Sequence, residues 1–351
     1  MNFEHIIQKK DNSITAKIIR AVLTPFSWLY NLAHIIFFIP YKLGIRKLHK
    51  ASLPIICVGN ISMGGTGKTP FVVTLINILK ENNYKPVILS RGYNRKNTEQ
   101  ENLLFTPESN LTVEETGDEP QLLMASCQVP IVIGRNRIKS LNLIPKECDI
   151  IVLDDGMQYW QLYKDIIIAI QSAKMPFASG QTIPAGDLRE PKSGLKRADF
   201  IVLTETCSPL WGGKSQETLD YIQNYCPKSF VYKGITAPTN IYSGKEKLSL
   251  DYLKNKNVFA FTGIGNPERF IDTLKSLGAN VVMSKFYPDH YNYTEADFNE
   301  LNEIATENNL TITTQKDIVK LPNNNFLWVE IGTNLNNDFK EKLIQKLNEV
   351  K

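Results

Sequence analysis

The chain has 351 residues, of which 22% are charged and 42% hydrophobic, and its formal net charge is +4. This length suffices for two ordinary domains, each with its own core, and the composition excludes disordered, collagen-like and coiled-coil proteins. The charge is too small to indicate nucleic-acid binding, and no zinc-finger, helix-turn-helix or RNA-recognition pattern occurs, so we expect no nucleic-acid partner.

The first predicted element is an amphipathic helix within residues 1–45. From Ala21 to Tyr41 no side chain is acidic or basic apart from His34, and this stretch is long enough to span a membrane. Pro25 and Pro40 are expected to limit or kink the helix. Polar residues recur every three or four positions, which places them on one stripe of the helix: Ser13, Lys17, Arg20, Thr24, Ser27, Asn31 and His34.

A basic segment follows this helix and contains Lys42, Arg46, Lys47 and Lys50. An apolar helix with a narrow polar stripe and a basic flank is typical of a segment lying in the membrane interface, which is our prediction. A transmembrane anchor and a helix packed on the protein's own core remain open alternatives. No small-residue cleavage site follows the apolar run, which argues against a cleaved signal peptide.

From Pro54 onward, short apolar runs alternate with amphipathic stretches. The runs lack a period of two, as do parallel strands covered on both faces: PIICVGN, KPVILSRG, VPIVIG, CDIIVLDD, KDIIIAI and ADFIVLTE. They predict a doubly wound, mostly parallel α/β sheet of the phosphate-loop NTPase type. Five cysteines without a C-x-x-C pair are interpreted as buried thiols of a reducing compartment: Cys57, Cys127, Cys148, Cys207 and Cys226.

A change of composition after Glu205 predicts a domain boundary, because proline and glycine then crowd a region of weak periodicity. A second alternating set follows, with the strand-like runs KNVFAFTGI, NVVMSKF, LTITT and FLWVE. Within it, Thr294 and Asp297 predict a helix-opening cap. We therefore expect one α/β domain at residues 46–240 and a smaller α/β domain at residues 241–351.

The run VGNISMGGTGKTP, residues 58–70, lies where a strand should change to a helix, and it predicts a phosphate-binding loop. Backbone N–H groups of such a loop surround the phosphates, a lysine reaches the terminal phosphate, and a hydroxyl completes a Mg²⁺ shell. The general pattern has glycine where this chain has Ser62, so a glycine-rich turn without function is the alternative. No guanine-specific N-K-x-D motif occurs, which favours ATP. The predicted nucleotide-binding residues are Gly64, Gly65, Thr66, Gly67, Lys68 and Thr69.

Met63 bears on the number of chains that form the site. A related loop of membrane-associated partition ATPases has a lysine at this position, and that lysine reaches across a dimer. Its replacement by methionine argues against a dimerising switch. We therefore expect an enzyme that completes its site within one chain and is a monomer.

Two adjacent carboxylates, Asp154 and Asp155, end the apolar run IIVLDDG. A carboxylate at the end of a strand is a usual Mg²⁺ partner in phosphate-loop enzymes, so both are candidate metal ligands, together with Thr69. A solvated turn is the alternative for this pair. The sequence does not indicate which of the two aspartates contacts the metal.

Nine motifs in order give the chain a resemblance to the tetraacyldisaccharide 4'-kinases, the lipid A 4'-kinases of Gram-negative envelopes. The resemblance implies transfer of the γ-phosphoryl group of ATP to the 4'-hydroxyl of an acylated glucosamine disaccharide 1-phosphate. It also implies a location at the cytoplasmic face of the inner membrane, and Ser62 is what this family uses. The motifs are VGNISMGGTGKTP, LSRGYNRK, TGDEPQLLM, GRNR, LDDGMQ, PAGDLREP, FTGIGNPERF, YPDHYNYTEAD and TTQKDIVKL.

The resemblance further implies a catalytic base, Asp118 of the GDEP motif, coupled to His290 of the DH motif. The residues alone favour a helix N-cap for Asp118 and leave His290 open between a surface and a catalytic role. If the two residues form a dyad, the cleft lies between the domains and closure assembles it. Lys68 completes the predicted catalytic set.

Other polar residues in the motifs are candidates for weaker roles. Gln158 and Glu190 are candidates for the metal or phosphate environment. Candidates for binding substrate or nucleotide phosphates are Arg91, Arg135, Asn136, Arg137 and Arg189. Each arginine is equally compatible with a surface ion pair. Three residues depart from the family pattern and put fine substrate contacts in doubt: Met157, Tyr159 and Asp187.

Two rival functions remain at this stage. Another phosphate-loop enzyme, such as a soluble ATP-dependent ligase or a metallochaperone-type GTPase, would give the N-terminal helix no role, and the GTPase would need the missing guanine motif. A non-catalytic, membrane-associated nucleotide sensor would leave Asp118 and His290 without a function. Replacement of either residue by alanine would then spare function.

Overall fold

The computed structural model describes residues 6–9, 11–93, 95–96, 101–206, 215–244, 246–265, 267–288, 291–306, 310–321 and 326–350. The helices in this part of the chain are α1 (Ile14–Lys42), α2 (Lys68–Glu81), α3 (Val113–Thr116), α4 (Asp118–Cys127), α5 (Arg137–Ser140), α6 (Ser215–Tyr225), α7 (Pro267–Ser276), α8 (Glu295–Thr306), α9 (Gln315–Ile318) and α10 (Asn337–Val350). Short 3₁₀ helices cover Leu141–Leu143, Lys192–Arg197 and Leu250–Leu253.

The described strands form one continuous sheet of thirteen strands. Their order is β11-β10-β12-β13-β8-β7-β6-β1-β5-β2-β4-β3, and β9 pairs with β8. The pairs β13–β8, β3–β4 and β8–β9 are antiparallel, and the other pairs are parallel. The bounds are β1 (Ile55–Gly59), β2 (Pro86–Ser90), β3 (Asn102–Phe105), β4 (Ile131–Gly134), β5 (Ile150–Asp154), β6 (Ile166–Ser172), β7 (Phe200–Thr206), β8 (Phe230–Ser243), β9 (Glu246–Leu248), β10 (Asn257–Thr262), β11 (Asn280–Phe286), β12 (Leu310–Thr314) and β13 (Leu327–Asn334).

The predicted α/β architecture is confirmed, and the reason is visible in the central strands. Every residue of β1, β2 and β5 is buried, because one hydrophobic core covers each face of the sheet. Four cysteines are buried free thiols, as expected, while Cys207 lies outside the described residues. The carboxyl ends of β1, β5, β2 and β4 lie side by side, so the segments that follow these strands meet at one edge.

Helix α1 packs against the rest of the protein through its polar stripe. Ser27 is 2% exposed, whereas Trp28 and Leu29 are 68% and 63% exposed on the outer face. Pro25 and Pro40 lie inside the helix, so they do not limit it, and the alternative that they kink it stays a prediction. Among the described helices, α1 alone is long and apolar enough to cross a membrane by length and composition.

The division into two domains at residue 240 stays a prediction. That residue lies inside β8, which pairs with β7 on one side and with β13 on the other. The closing helix α10 returns to the first half, where Phe339, Leu343 and Leu347 join the core beneath α2. Thr294 and Asp297 form the predicted cap of α8, because each backbone N–H donates to the other side chain.

Candidate active site

The loop between β1 and α2 has the geometry of a phosphate-binding loop. Gly64 and Gly67 have φ values of 94° and 83°, a left-handed conformation that favours glycine. Gly67 is the N-cap of α2, so the N–H groups of the first helical turn face the loop. Exposure of Gly64 and Gly65 to solvent leaves this helix end open to an anion.

Buried polar contacts hold the loop in place. The Asn60 side chain donates to Thr66 Oγ1 at 3.0 Å and accepts from Lys68 Nζ at 3.2 Å. Thr204, at the end of β7, donates to the Thr66 carbonyl at 2.7 Å. These contacts fix Lys68, whose side chain is only 14% exposed, before any phosphate arrives.

Asp154 and Asp155 occupy different environments at the end of β5. Asp154 is 7% exposed, and burial, with Glu119 and Asp155 nearby, raises its pKa to about 7. Burial alone would also raise the pKa of Asp155, but Lys68 and Arg189 together lower it. Lys68 Nζ lies 3.4 Å from Asp155 Oδ1, and Arg189 Nη1 lies 2.7 Å from Asp155 Oδ2. The alternative interpretation of this pair as a solvated turn therefore does not fit, while the predicted metal role stays a prediction.

Gln158 and Glu190 lie beside the loop, but Glu190 is not available as a metal ligand in this arrangement. Glu190 is fully buried, and Arg197 donates to both of its carboxylate oxygens at 2.7 and 3.1 Å. Gln158 Nε2 donates to Glu190 Oε1 at 2.7 Å and to the Asn60 carbonyl at 2.8 Å. Glu190 thus anchors Gln158 against the loop.

A basic cluster lies at the ends of β2 and β4. Arg91 and Arg135 are exposed, while Arg137 is 4% exposed and carries a buried Nε without a hydrogen-bond partner. Burial and the neighbouring Arg91 lower the pKa of Arg137, and burial with Arg135 lowers that of Arg95. Asn136 caps the short helix α5, since its side chain accepts from the Lys139 N–H at 3.1 Å. The crowding of like charges indicates an anion site.

Asp118 is the first residue of α4, and the N-cap is Gly117, so the helix-cap interpretation of Asp118 is wrong. Lys320 Nζ lies 3.7 Å from Asp118 Oδ2 and donates to the Tyr291 carbonyl at 3.2 Å. The Lys320 side chain is 7% exposed. His290 lies outside the described residues, so its coupling to Asp118 stays a prediction. Lys320 nevertheless connects Asp118 to Tyr291, the residue that directly follows His290 in the chain.

Residues 179–190 form a loop that packs on the phosphate-binding loop, and Asp187 stabilises it internally. Its carboxylate accepts from the Ser179 N–H at 2.9 Å, and Ser179 Oγ accepts from the Asp187 N–H at 3.1 Å. Asp187, which departs from the family pattern, therefore has a structural role in this loop. Met157 is likewise buried, and it packs against Gly59 at the end of β1.

Sequence reasoning missed two contributors to this site. Asn60 was overlooked although it lies inside the loop motif, directly after an apolar strand. Lys320 lies inside the motif TTQKDIVKL, but the motif does not indicate its partner, because that carboxylate lies about two hundred residues earlier in the chain. Both contacts depend on how the sheet brings distant segments together.

Fold and site together define a phosphate-loop nucleotide-binding protein of the α/β class. The chain matches the profile of the LpxK family, described as tetraacyldisaccharide-1-P 4'-kinase, over residues 19–348. A tetraacyldisaccharide 4'-kinase of Methylobacillus flagellatus is 36% identical over 93% of this chain and 91% of its own length. A relative of that name in Halothermothrix orenii is 35% identical over 90% and 86%.

Solved structures match as well, and one of them is informative over nearly its whole length. The crystal structure of LpxK from Aquifex aeolicus in complex with ATP aligns with a TM-score of 0.78 and 30% identity. The alignment covers 94% of this chain and 99% of the chain in the crystal structure. The chain belongs to the tetraacyldisaccharide-1-P 4'-kinase family.

Proposed function

We propose that this protein transfers the γ-phosphoryl group of ATP to the 4'-hydroxyl of a tetraacyldisaccharide 1-phosphate in lipid A biosynthesis. The names of its relatives and the ATP bound to the solved relative support this proposal. The observation that carries it is the meeting of Lys68, Asp155 and Arg189 at the open end of α2. Two positively charged side chains beside a phosphate loop can stabilise the negative charge on the phosphoryl group during transfer.

We propose that the nucleotide binds with Mg²⁺, held by Thr69 and Asp154. Within the described residues no hydrogen bond reaches the Asp154 carboxylate, which is buried and has a raised pKa. A divalent cation would favour its ionised form and, when bound, would neutralise charge on the phosphates. No cluster of three or more His, Cys, Asp or Glu occurs in the described chain, so the phosphates and water would complete the shell.

We assign Asp118 the positioning or deprotonation of the acceptor hydroxyl, with His290 as its partner. Asp118 begins α4, and its neighbour Glu119 raises the pKa of Asp154, which supports a position of this helix end near the proposed metal ligand. Lys320 would hold the Asp118 carboxylate in place. The loose transition state of phosphoryl transfer makes orientation of the hydroxyl more important than early proton removal.

The basic cluster of Arg91, Arg135 and Arg137 is the proposed binding surface for phosphate groups of the nucleotide or lipid. Its position at the same sheet edge as the phosphate loop supports this role. The exposed apolar face of α1 would enter the lipid surface, followed by the basic segment of residues 46–50. We therefore place the protein on the cytoplasmic face of the inner membrane as a monomer.

The test is transfer of labelled γ-phosphate from ATP and Mg²⁺ to tetraacyldisaccharide 1-phosphate in detergent micelles. We expect label in a bis-phosphorylated lipid for the wild type and for Lys85→Met. We expect no label for Lys68→Met. Lys85 is the matched control, because it is exposed and begins the segment at the opposite edge of the sheet.

Absence of labelled lipid from the wild type, with ATP still bound, would contradict the kinase proposal and favour a membrane-associated nucleotide sensor. Label on the lipid that persists in Lys68→Met would instead contradict the role given to the phosphate loop. Replacement of Asp118 by alanine separates the base assignment from the kinase proposal, since near-normal transfer in that variant would remove only the former.

A further inference from the structure

The N-terminal helix is attached to the candidate active site by hydrogen bonds. We propose that Tyr30 and Ser27 are positioning residues that hold Arg189 against Asp155, so that the docking of α1 determines the rate of phosphoryl transfer. This inference deepens the proposed kinase function and rests on it. It gives the helix a second role besides contact with lipid.

The first step of the coupling is the contact between α1 and the 179–190 loop. Ser27 Oγ donates to the Thr182 carbonyl at 2.8 Å and accepts from the Ala185 N–H at 3.0 Å. One hydroxyl thus closes both sides of a tight turn. Because Ser27 is 2% exposed, water is not available to replace it, and loss of the hydroxyl would take the described partner of the Ala185 N–H, while the Thr182 carbonyl would still accept from the Gly186 N–H at 3.0 Å.

The second step is the contact of Tyr30 with Arg189. Tyr30 OH donates to the Arg189 carbonyl at 2.6 Å. Burial, followed by the Glu190 carboxylate, raises the pKa of Tyr30, so the phenol keeps the proton that it donates. Tyr30 lies three residues after Ser27, so the two side chains share one face of α1 and contact one loop.

The third step joins this loop to the phosphate-binding loop. The Arg189 N–H donates to the Ile61 carbonyl at 2.8 Å, and the Met63 N–H donates to the Asp187 carbonyl at 2.7 Å. Arg189 is therefore held at both ends of its backbone, by the phosphate loop on one side and by α1 on the other. Its guanidinium reaches Asp155 at 2.7 Å, and Asp155 pairs with Lys68.

The chemistry of the site explains why this backbone position affects rate. Lys68 and Arg189 each contact one oxygen of the Asp155 carboxylate. A displaced Arg189 would therefore leave Lys68 more strongly attracted to Asp155 and less directed at the transferring phosphate. Backbone N–H groups supply most contacts to a bound nucleotide in such loops, whereas the lysine acts on the transferring group. Loss of the Tyr30 contact should therefore lower kcat more than it weakens ATP binding.

The test compares Tyr30→Phe with Tyr41→Phe in the full-length protein in detergent micelles. Both variants lose one hydroxyl from α1, but within the described residues the Tyr41 hydroxyl makes no hydrogen bond. We expect Tyr30→Phe to lower kcat roughly tenfold, with KM for ATP within about twofold of the wild type. We expect Tyr41→Phe to match the wild type, and Ser27→Ala to change kcat in the same direction as Tyr30→Phe.

A membrane-binding assay tests whether the loss of kcat comes only from weaker membrane association. Sedimentation with phosphatidylglycerol vesicles should be equal for Tyr30→Phe and the wild type, because the exposed apolar side chains of α1 are unchanged. Equal kcat values for Tyr30→Phe and the wild type would overturn the inference. So would an equal loss in Tyr30→Phe and Tyr41→Phe, which would indicate a general disturbance of the helix.

Hydrogen–deuterium exchange tests the coupling without turnover, and so separates its failure from failure of the kinase proposal. We expect Tyr30→Phe to speed exchange in peptides that cover residues 182–190 and 60–68, with no such change in Tyr41→Phe. Unchanged exchange in both segments would contradict the coupling even if the wild type phosphorylates the lipid. Faster exchange in a protein that transfers no phosphate would retain the coupling and remove the kinase function.

Discussion

Asp154 and Asp155 are neighbours in the chain, yet their surroundings move their pKa values in opposite directions. Burial raises the pKa of Asp154 to about 7, whereas Lys68 and Arg189 overcome the effect of burial on Asp155 and lower its pKa. Among the described residues the first carboxylate has no cation within ion-pair distance, and the second already has two. This difference favours Asp154 as the direct metal ligand.

Replacement of each aspartate by asparagine should change stability in opposite directions. Without Mg²⁺ at pH 8, Asp154→Asn should raise the free energy of unfolding by roughly 2 kcal/mol, and Asp155→Asn should lower it by about 1 kcal/mol. Native Asp154 keeps its proton up to about pH 7, whereas the unfolded chain loses it near pH 4, so wild-type stability falls between these values.

Urea unfolding at pH 4.5 and pH 8 measures both effects. The advantage of Asp154→Asn should shrink at the lower pH. The disadvantage of Asp155→Asn should be nearly unchanged there, because a carboxyl with a lowered pKa stabilises the protein above its unfolded value near pH 4 and loses that contribution only below it. A destabilised Asp154→Asn variant at pH 8 would contradict the buried, uncompensated carboxylate.

The environment of Lys320 leads to a further prediction at the scale of single residues. Lys320 is almost buried between Asp118 and the Tyr291 carbonyl, so its removal takes a nearby cation from the candidate base. Lys320→Met should lower kcat by roughly ten- to a hundredfold with little change in KM for ATP. Steady-state kinetics check this, with Lys316→Met as control, since Lys316 is exposed and lies four residues earlier, on the short helix α9. Equal effects of the two variants would remove Lys320 from the site.

Among the elements, α10 has the most informative contacts. Phe339 is fully buried, and its ring centre lies 6.0 Å from that of Phe71, 5.6 Å from Phe200 and 5.3 Å from Tyr232. Phe71 belongs to α2, the helix that follows the phosphate loop. The last helix of the chain therefore supports the first helix of the nucleotide site.

Phe339→Ala should lower the free energy of unfolding by about 3–5 kcal/mol, because it leaves a cavity between four elements. Phe37→Ala is the matched control, since Phe37 is 51% exposed on the outer face of α1 and should cost little in detergent. Urea denaturation measures both. A loss below 1 kcal/mol for Phe339→Ala would show that α10 is a peripheral attachment.

Elements with a local signal could be predicted from the sequence, and those defined by distant partners could not. The apolar runs predicted β1, β5 and β6, because full burial on both faces leaves only apolar side chains. Strand β8 was missed, since most of its residues are half-buried and show no period. For α1, spacing defined the polar stripe, but periodicity cannot tell which side faces the protein, and that face depends on residues 181–189.

The same distinction between local signals and distant partners applies to the candidate active site. The positions of the loop residues Gly64 to Thr69 and of the two aspartates at the end of β5 could be predicted, because they depend on short-range order along the chain, whereas their roles stay predictions. The partners of Glu190 and Asp118 could not be predicted. Arg197 is a member of a short 3₁₀ helix, and Lys320 comes from the far half of the sequence.

At the scale of the whole molecule, one sheet passes through the predicted boundary at residue 240. Strand β8 pairs with β7 through Thr236 and with β13 from Ile235 onward. Removal of everything after residue 240 would expose the edge of β8 and take α10 from the nucleotide core. The two predicted domains therefore depend on each other for stability.

A chain of residues 1–240 should aggregate or fail to unfold cooperatively, whereas the full chain should show one cooperative transition. Circular dichroism with urea denaturation in detergent compares the two. A soluble, cooperatively folded fragment that still binds ATP would contradict this dependence and support autonomous domains. Sedimentation of the full chain in detergent also tests the predicted monomer.

The return of α10 has a consequence for the order in which the chain acquires its structure during synthesis. Phe71 and Phe200 emerge from the ribosome long before Phe339, their partner in the same core. Until the last fourteen helical residues are made, the underside of the nucleotide site lacks its cover. The growing polypeptide therefore carries an exposed aromatic surface for most of its translation, and a premature stop near the end would leave it exposed permanently.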